Sequence, residues 1–141
     1  MKAIVVGTDG SSGSHAAVQK VIELASGSGA TVHLVCAYAS KTALERIGMT
    51  ARQDSTDLRG VAADVLARDE RTLTEAGFAV QKHAREGDAA HVILDVVGEV
   101  DGELIVVGAR GNTGLRRFLL GSVSGKLAHN ATKSLLIVSE D

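Results

Sequence analysis

Residues 104–111 read LIVVGARG: four aliphatic residues, Leu104 to Val107, stop on Gly108, and a second glycine, Gly111, follows three positions on. A run this short and this free of alternating polar residues predicts a strand covered on both faces. Three runs of the same kind are spaced along the chain: AIVV at Ala3 to Val6, TVHLVCAY at Thr31 to Tyr38 and LLIV at Leu135 to Val138. Phe78 to Ala84 alternates as a weaker strand. Stretches of helical period lie between them. Val18, Val21, Ile22 and Ala25 share one face of a first helix that Ser11 or Ser12 caps. Leu58, Val61, Ala62, Val65, Thr72 and Leu73 mark a second helix. Ala90, Ile93, Leu94 and Val97, behind Asp88 as cap, mark a third, and Val123, Leu127 and Ala131 a fourth. Gly27, Gly29 and Gly77 fall where the first two helices must end. Strand and helix in alternation spell βαβ units and a parallel sheet, an α/β fold in one domain over residues 1–141. Ala39 to Asp54 has no clear period and reads as a long mobile loop with room for a helical turn, a variable surface connection before it is a lid.

Composition narrows the function. Hydrophobic residues make up 45% of the chain but aromatics only 2%, so the core must be aliphatic. A net charge of −2 gives no general pull toward nucleic acid or an anionic membrane, so any site for a polyanion must be local. The single cysteine, Cys36, sits in an apolar run and reads as a buried thiol in a reducing compartment. No apolar run is long enough to span a bilayer, and the opening run is too short for a secretory signal, so a cytoplasmic location is expected.

The local site is legible at Gly108. From Gly108-Ala-Arg110-Gly111 the chain runs nine residues to Gly121-Ser122-Val123-Ser124, which opens the last helix. Glycines let backbone approach an anion, and the first N–H groups of a helix attract phosphate. The hydroxyls of Ser122 and Ser124 add donors, with capping as the plainer role of Ser122. A second cluster, Gly7-Thr8-Asp9-Gly10-Ser11, follows the first strand. In an open parallel sheet both clusters would face the crevice at the carboxyl ends of neighbouring strands. There Asp9 can accept hydrogen bonds from ribose hydroxyls or an adenine amino group, and the backbone around Ala37, at the end of the second strand, can meet the base edge.

The G-x2-G-x9-G-S spacing of Gly108, Gly111, Gly121 and Ser122, with IVVGTDGS at Ile4 to Ser11 and LIVVGARG at Leu104 to Gly111, resembles the universal stress protein family in its ATP-binding branch, over essentially the whole chain. The resemblance implies a five-stranded parallel sheet of order 3-2-1-4-5 with helices on both faces and a homodimer joined through Leu135 to Val138. It implies that Asp9, beside Thr8, touches the nucleoside, and that Gly108, Arg110, Gly111, Gly121, Ser122, Val123 and Ser124 hold ribose and phosphates. ATP is the expected ligand, with Mg2+ carried on its phosphates as an option and AMP or cyclic AMP as alternatives. Two departures from the family pattern stand outside the cradle: Ser134 where a proline often precedes the final strand, and Gly102-Glu103 in place of an Ala-Asp pair.

Other chemistry is a poor match. GSVSGK at Gly121 to Lys126 has three residues between its glycines and Leu127 after the lysine, so it is not a P-loop. The five histidines show no zinc spacing, and GSVSG misplaces the serine of a nucleophile elbow. Arg116, Arg117 and Lys126 read as solvated cations. With no Walker lysine and no evident base, binding is expected rather than catalysis; slow ATP hydrolysis of the adenine-nucleotide α-hydrolase type is the rival reading.

Overall fold

The structure, a computed structural model, describes residues 1–46, 48, 57–110 and 121–140. Its strands are β1 (Ala3–Gly7), β2 (Thr31–Tyr38), β3 (Ala79–Glu86), β4 (Leu104–Gly108) and β5 (Ser134–Val138). Its helices are α1 (Ser12–Ala25), α2 (Lys41–Arg46), α3 (Leu58–Glu75), α4 (Ala89–Val100) and α5 (Ser122–Asn130). The strands form one parallel sheet in the order β3-β2-β1-β4-β5, as the resemblance implied.

Alternation along the strands sorts the aliphatic residues into two layers. Ile4 and Val6 of β1, Leu34 and Cys36 of β2 and Val106 of β4 pack with Val18 and Val21 of α1 and Leu66 and Leu73 of α3. Val5, Val35, Ile105 and Val107 point the other way, onto Ile93 and Val96 of α4 and Leu127 of α5. β1 is buried along its whole length because it lies between both layers at the centre of the sheet. Leu127 is fully buried and fixes α5 to the sheet; burying one leucine contributes about 1.5–3 kcal/mol.

The caps follow the sequence closely. Ser11 caps α1 by accepting from the Ser14 amide, and Asp88 caps α4 by accepting from the His91 amide. Gly27, Gly29 and Gly77 take φ of 79°, 77° and 95°, the left-handed region that ends a helix without a Cβ penalty. The weak third strand begins one residue later and ends two later than its pattern suggested, because Phe78 turns into the core while β3 pairs with β2 through Glu86. Within Ala39 to Asp54 the described part contains α2, a short helix; the rest of that segment lies outside the described residues.

On the α4 side of β2 and β3, His33 Nδ1 and His83 Nε2 stand 3.1 Å apart. Such a contact requires one ring to donate and the other to accept, so the accepting ring is neutral. Both histidines titrate below their ordinary value, His33 through burial and His83 through burial and then the charges of His33 and Arg85, against the opposing charge of Glu99. The unfolded chain therefore binds more protons than the folded one once pH falls below the ordinary histidine value of about 6.5. The stability from this pair is fully present above that value and is lost as pH falls toward the folded-state values. Urea midpoints measured from pH 7.5 to 5.5 should fall in the wild-type chain and fall less in His83→Gln; equal slopes would refute the assignment.

Candidate functional site

At the carboxyl ends of β1 and β4, where the sheet order reverses, lies a cleft of about 170 Å³. Thr8, Asp9, Ala37, Gly108, Arg110, Gly121, Ser122, Val123 and Ser124 all line it, so the structure brings together the site residues expected from sequence, apart from Gly111, which lies outside the described residues with Arg116 and Arg117. Ser11, Ser14 and, from α4, Ala89 and Ile93 also line it.

The two ends of the glycine-rich segment are stapled together. The Ala109 carbonyl accepts from the Gly121 amide at 2.7 Å and from the Ser124 hydroxyl at 2.8 Å, while the Ala109 amide donates to Val138 of β5. Ser124 is 1% exposed, and its single proton goes to backbone carbonyls, so its hydroxyl builds the site rather than lining it as a donor. The expected capping role of Ser122 is also corrected. The N-cap of α5 is Gly121, with extended backbone and no side-chain cap, and Ser122 is the exposed first residue of the helix. Because a helix supplies no acceptor to its first amides, those of Ser122, Val123 and Ser124 remain as donors at the cleft wall, beside the positive end of the helix dipole.

The opposite wall is built from β1 and α1. The Thr8 amide extends the β1 ladder by donating to Val35, and the Asp9 carboxylate accepts from the Ser11 amide at 2.9 Å, which turns the chain into α1. Asp9 and Asp69 each push up the titration of the Cys36 thiol, after the larger effect of burial, to about 11. The Asp9 carboxylate thus stands on the β1 wall of the cleft and the amide donors on the α5 wall, with Arg110 also lining it.

Gly108 has a second reason to be glycine. A Cβ there would sit 2.6 Å from the carbonyl carbon and oxygen of Gly13, and a Cβ on Gly13 would run into the Arg110 carbonyl oxygen. The first turn of α1 and the chain at the end of β4 therefore touch backbone to backbone.

Sequence reading singled out Thr8 but missed the buried polar partners of its hydroxyl, Ser14 and, from α3, Asp69. A signal existed, because Ala62, Leu66, Asp69 and Leu73 are the buried stripe of α3 and an acid in an apolar stripe needs a partner.

The universal stress protein family model matches residues 1–139. The chain belongs to the universal stress protein family. Universal stress protein MJ0531 of Methanocaldococcus jannaschii is 30% identical over 99% of this chain and 82% of its own length. Among solved structures, hypothetical protein MJ0577 superposes with a TM-score of 0.84 at 22% identity, covering 98% of this chain and 95% of its own. A universal stress protein in complex with cAMP gives 0.73 at 24% identity, over 99% and 98% of the two chains. An Arabidopsis thaliana family member with AMP bound gives 0.73 at 15%, over 100% and 93%. At these identities the structural likenesses establish a family fold, the one built here from β1 to β5.

Proposed function

We propose that this chain is an adenine-nucleotide-binding regulatory protein whose ligand lies in the cleft between β1 and α5, its phosphates on the amides of Ser122, Val123 and Ser124 and its ribose or base toward Asp9 and Ala37. One observation carries this reading: a helix that starts on a side-chain-free residue, its uncapped amides opening on a cleft that Asp9 lines from the opposite wall. Amides supply the donors an anion needs without a basic patch, which suits a chain of net charge −2. The family members solved with cAMP or AMP support the ligand class. ATP is the ligand to test first, with AMP and cyclic AMP as alternatives and Mg2+ as a companion of the phosphates.

We read the role as binding, with slow hydrolysis as the rival. The partner is a second copy through β5, an edge strand whose Leu135, Leu136 and Ile137 are only half-buried in the single chain. A cytoplasmic setting suits the free thiol of Cys36, and among the described residues no helix is long and apolar enough to cross a membrane. Protein denatured directly after purification should release an adenine nucleotide identifiable by chromatography and mass. In a metal-supplemented multiple-turnover assay with ATP, phosphate should not exceed one equivalent per site. Sustained phosphate release would replace the binder with the ATPase, and failure of stripped protein to take up any adenine nucleotide would remove the reading altogether.

A further inference from the structure

We infer that Asp69 is a positioning residue for this cleft, holding the Thr8 to Ser11 loop from beneath in the shape that nucleoside contacts require; the inference rests on the nucleotide-binding reading above. Asp69 is 2% exposed in the middle of α3, and its Oδ2 accepts the Thr8 hydroxyl proton at 2.6 Å. A threonine hydroxyl has one proton, so Thr8 Oγ1 faces the rest of the loop as an acceptor. The Gly10 amide lies 3.4 Å from it and the Ser14 hydroxyl 3.0 Å; Ser14 gives its one proton to Thr8, and the Ser11 carbonyl, also 3.0 Å from Ser14, keeps the His15 amide as its donor. One buried carboxylate thereby orients a hydroxyl that gathers both sides of the turn carrying Asp9. Arg68, the next residue of α3, reaches the Gly10 carbonyl at 3.3 Å and grips the same turn from outside.

Packing alone does not call for an acid here. A pair of apolar side chains would join α3 to β1 at lower desolvation cost, and the nearest cation, Arg68 Nε, is 4.0 Å away on a side chain that is 61% exposed. Thr8 and Ser14 line the cleft, and Asp69 lies behind them. The acid acts on the ligand site through Thr8.

The test compares wild type, Asp69→Asn, Asp69→Leu and the double variant Thr8→Val/Asp69→Leu by calorimetric titration with ATP and AMP, thermal melting, and hydrogen exchange at the Gly10, Ser11 and Ser14 amides. Asp69→Asn keeps an acceptor for Thr8 and should bind within about threefold of wild type, whereas Asp69→Leu should bind about tenfold to a hundredfold more weakly, the range set by one hydrogen bond to a charged group. Its loop amides should exchange faster even without ligand. The double variant, with both polar partners removed, should regain melting temperature without regaining affinity. Wild-type affinity in Asp69→Leu, or recovery of affinity and melting temperature together in the double variant, would overturn the positioning role while leaving nucleotide binding in place. A wild-type chain that binds neither nucleotide would instead overturn the functional reading and this inference with it.

Discussion

Gly121→Asp should abolish nucleotide binding while leaving the fold intact. Gly121 has φ −66° and ψ 167°, an extended conformation open to any residue, and it is the N-cap of α5. Aspartate is among the best N-cap residues, a few tenths of a kcal/mol better than glycine, because its carboxylate accepts from the second or third amide of the helix. Those are the amides of Val123 and Ser124, the ones proposed to hold phosphate. The variant would therefore carry its own anion where the ligand's should go. At about 4 Å and an effective dielectric of 20, two like charges repel by about 4 kcal/mol, close to a thousandfold in affinity, before the occupied amides are counted. Gly121→Ala, which adds a Cβ and no charge, separates the electrostatic from the steric effect and should retain part of the binding. Undiminished affinity in the folded Asp variant would refute the placement of the phosphates.

Gly13→Ala and Gly108→Ala should each destabilise the chain strongly, and Gly125→Ala should stabilise it. The added Cβ of Gly13→Ala meets the Arg110 carbonyl and that of Gly108→Ala the Gly13 backbone at 2.6 Å, and backbone cannot swing aside as a flexible side chain can. Overpacking costs about 1–3 kcal/mol where side chains can yield, and a backbone clash should reach the top of that range or exceed it. A Cβ on Gly125, by contrast, meets nothing within 4 Å among the described residues, and Gly125 lies inside α5, where alanine is favoured by about 0.5–1 kcal/mol. Urea unfolding of the three variants measures the contrast directly. Equal effects at all three positions would show that α1 and β4 do not touch as described.

These glycines mark the limit of what the sequence reveals. The strand runs were legible because four aliphatic residues between polar stops have few other uses, and Ser11, Asp88 and Gly77 announced helix boundaries through their own local chemistry. That the ends of β1 and β4 share one cleft was legible from the rule that a crevice opens where a parallel sheet reverses its order. The close contact of Gly13 with Gly108 was not legible, since it joins residues far apart in the chain and a glycine in a first helical turn has many possible reasons. Asp69 was legible only as an anomaly in an apolar stripe; its partner Thr8 comes from β1, and only the packing of α3 brings the two together. Ser122 misled because serine before a helical run is a common cap, yet the staple from Gly121 and Ser124 to Ala109 starts the helix one residue earlier.

On the proposed function, the uncapped start of α5 replaces water around a nucleotide's phosphate oxygens. Calorimetric titration of ligand-stripped protein with ATP, ADP, AMP and cyclic AMP tests it most directly. Saturable binding of at least one of them, lost in Gly121→Asp and kept in Gly125→Ala, is the predicted result. No saturable heat from any of the four up to millimolar ligand, with the protein folded throughout, would contradict it.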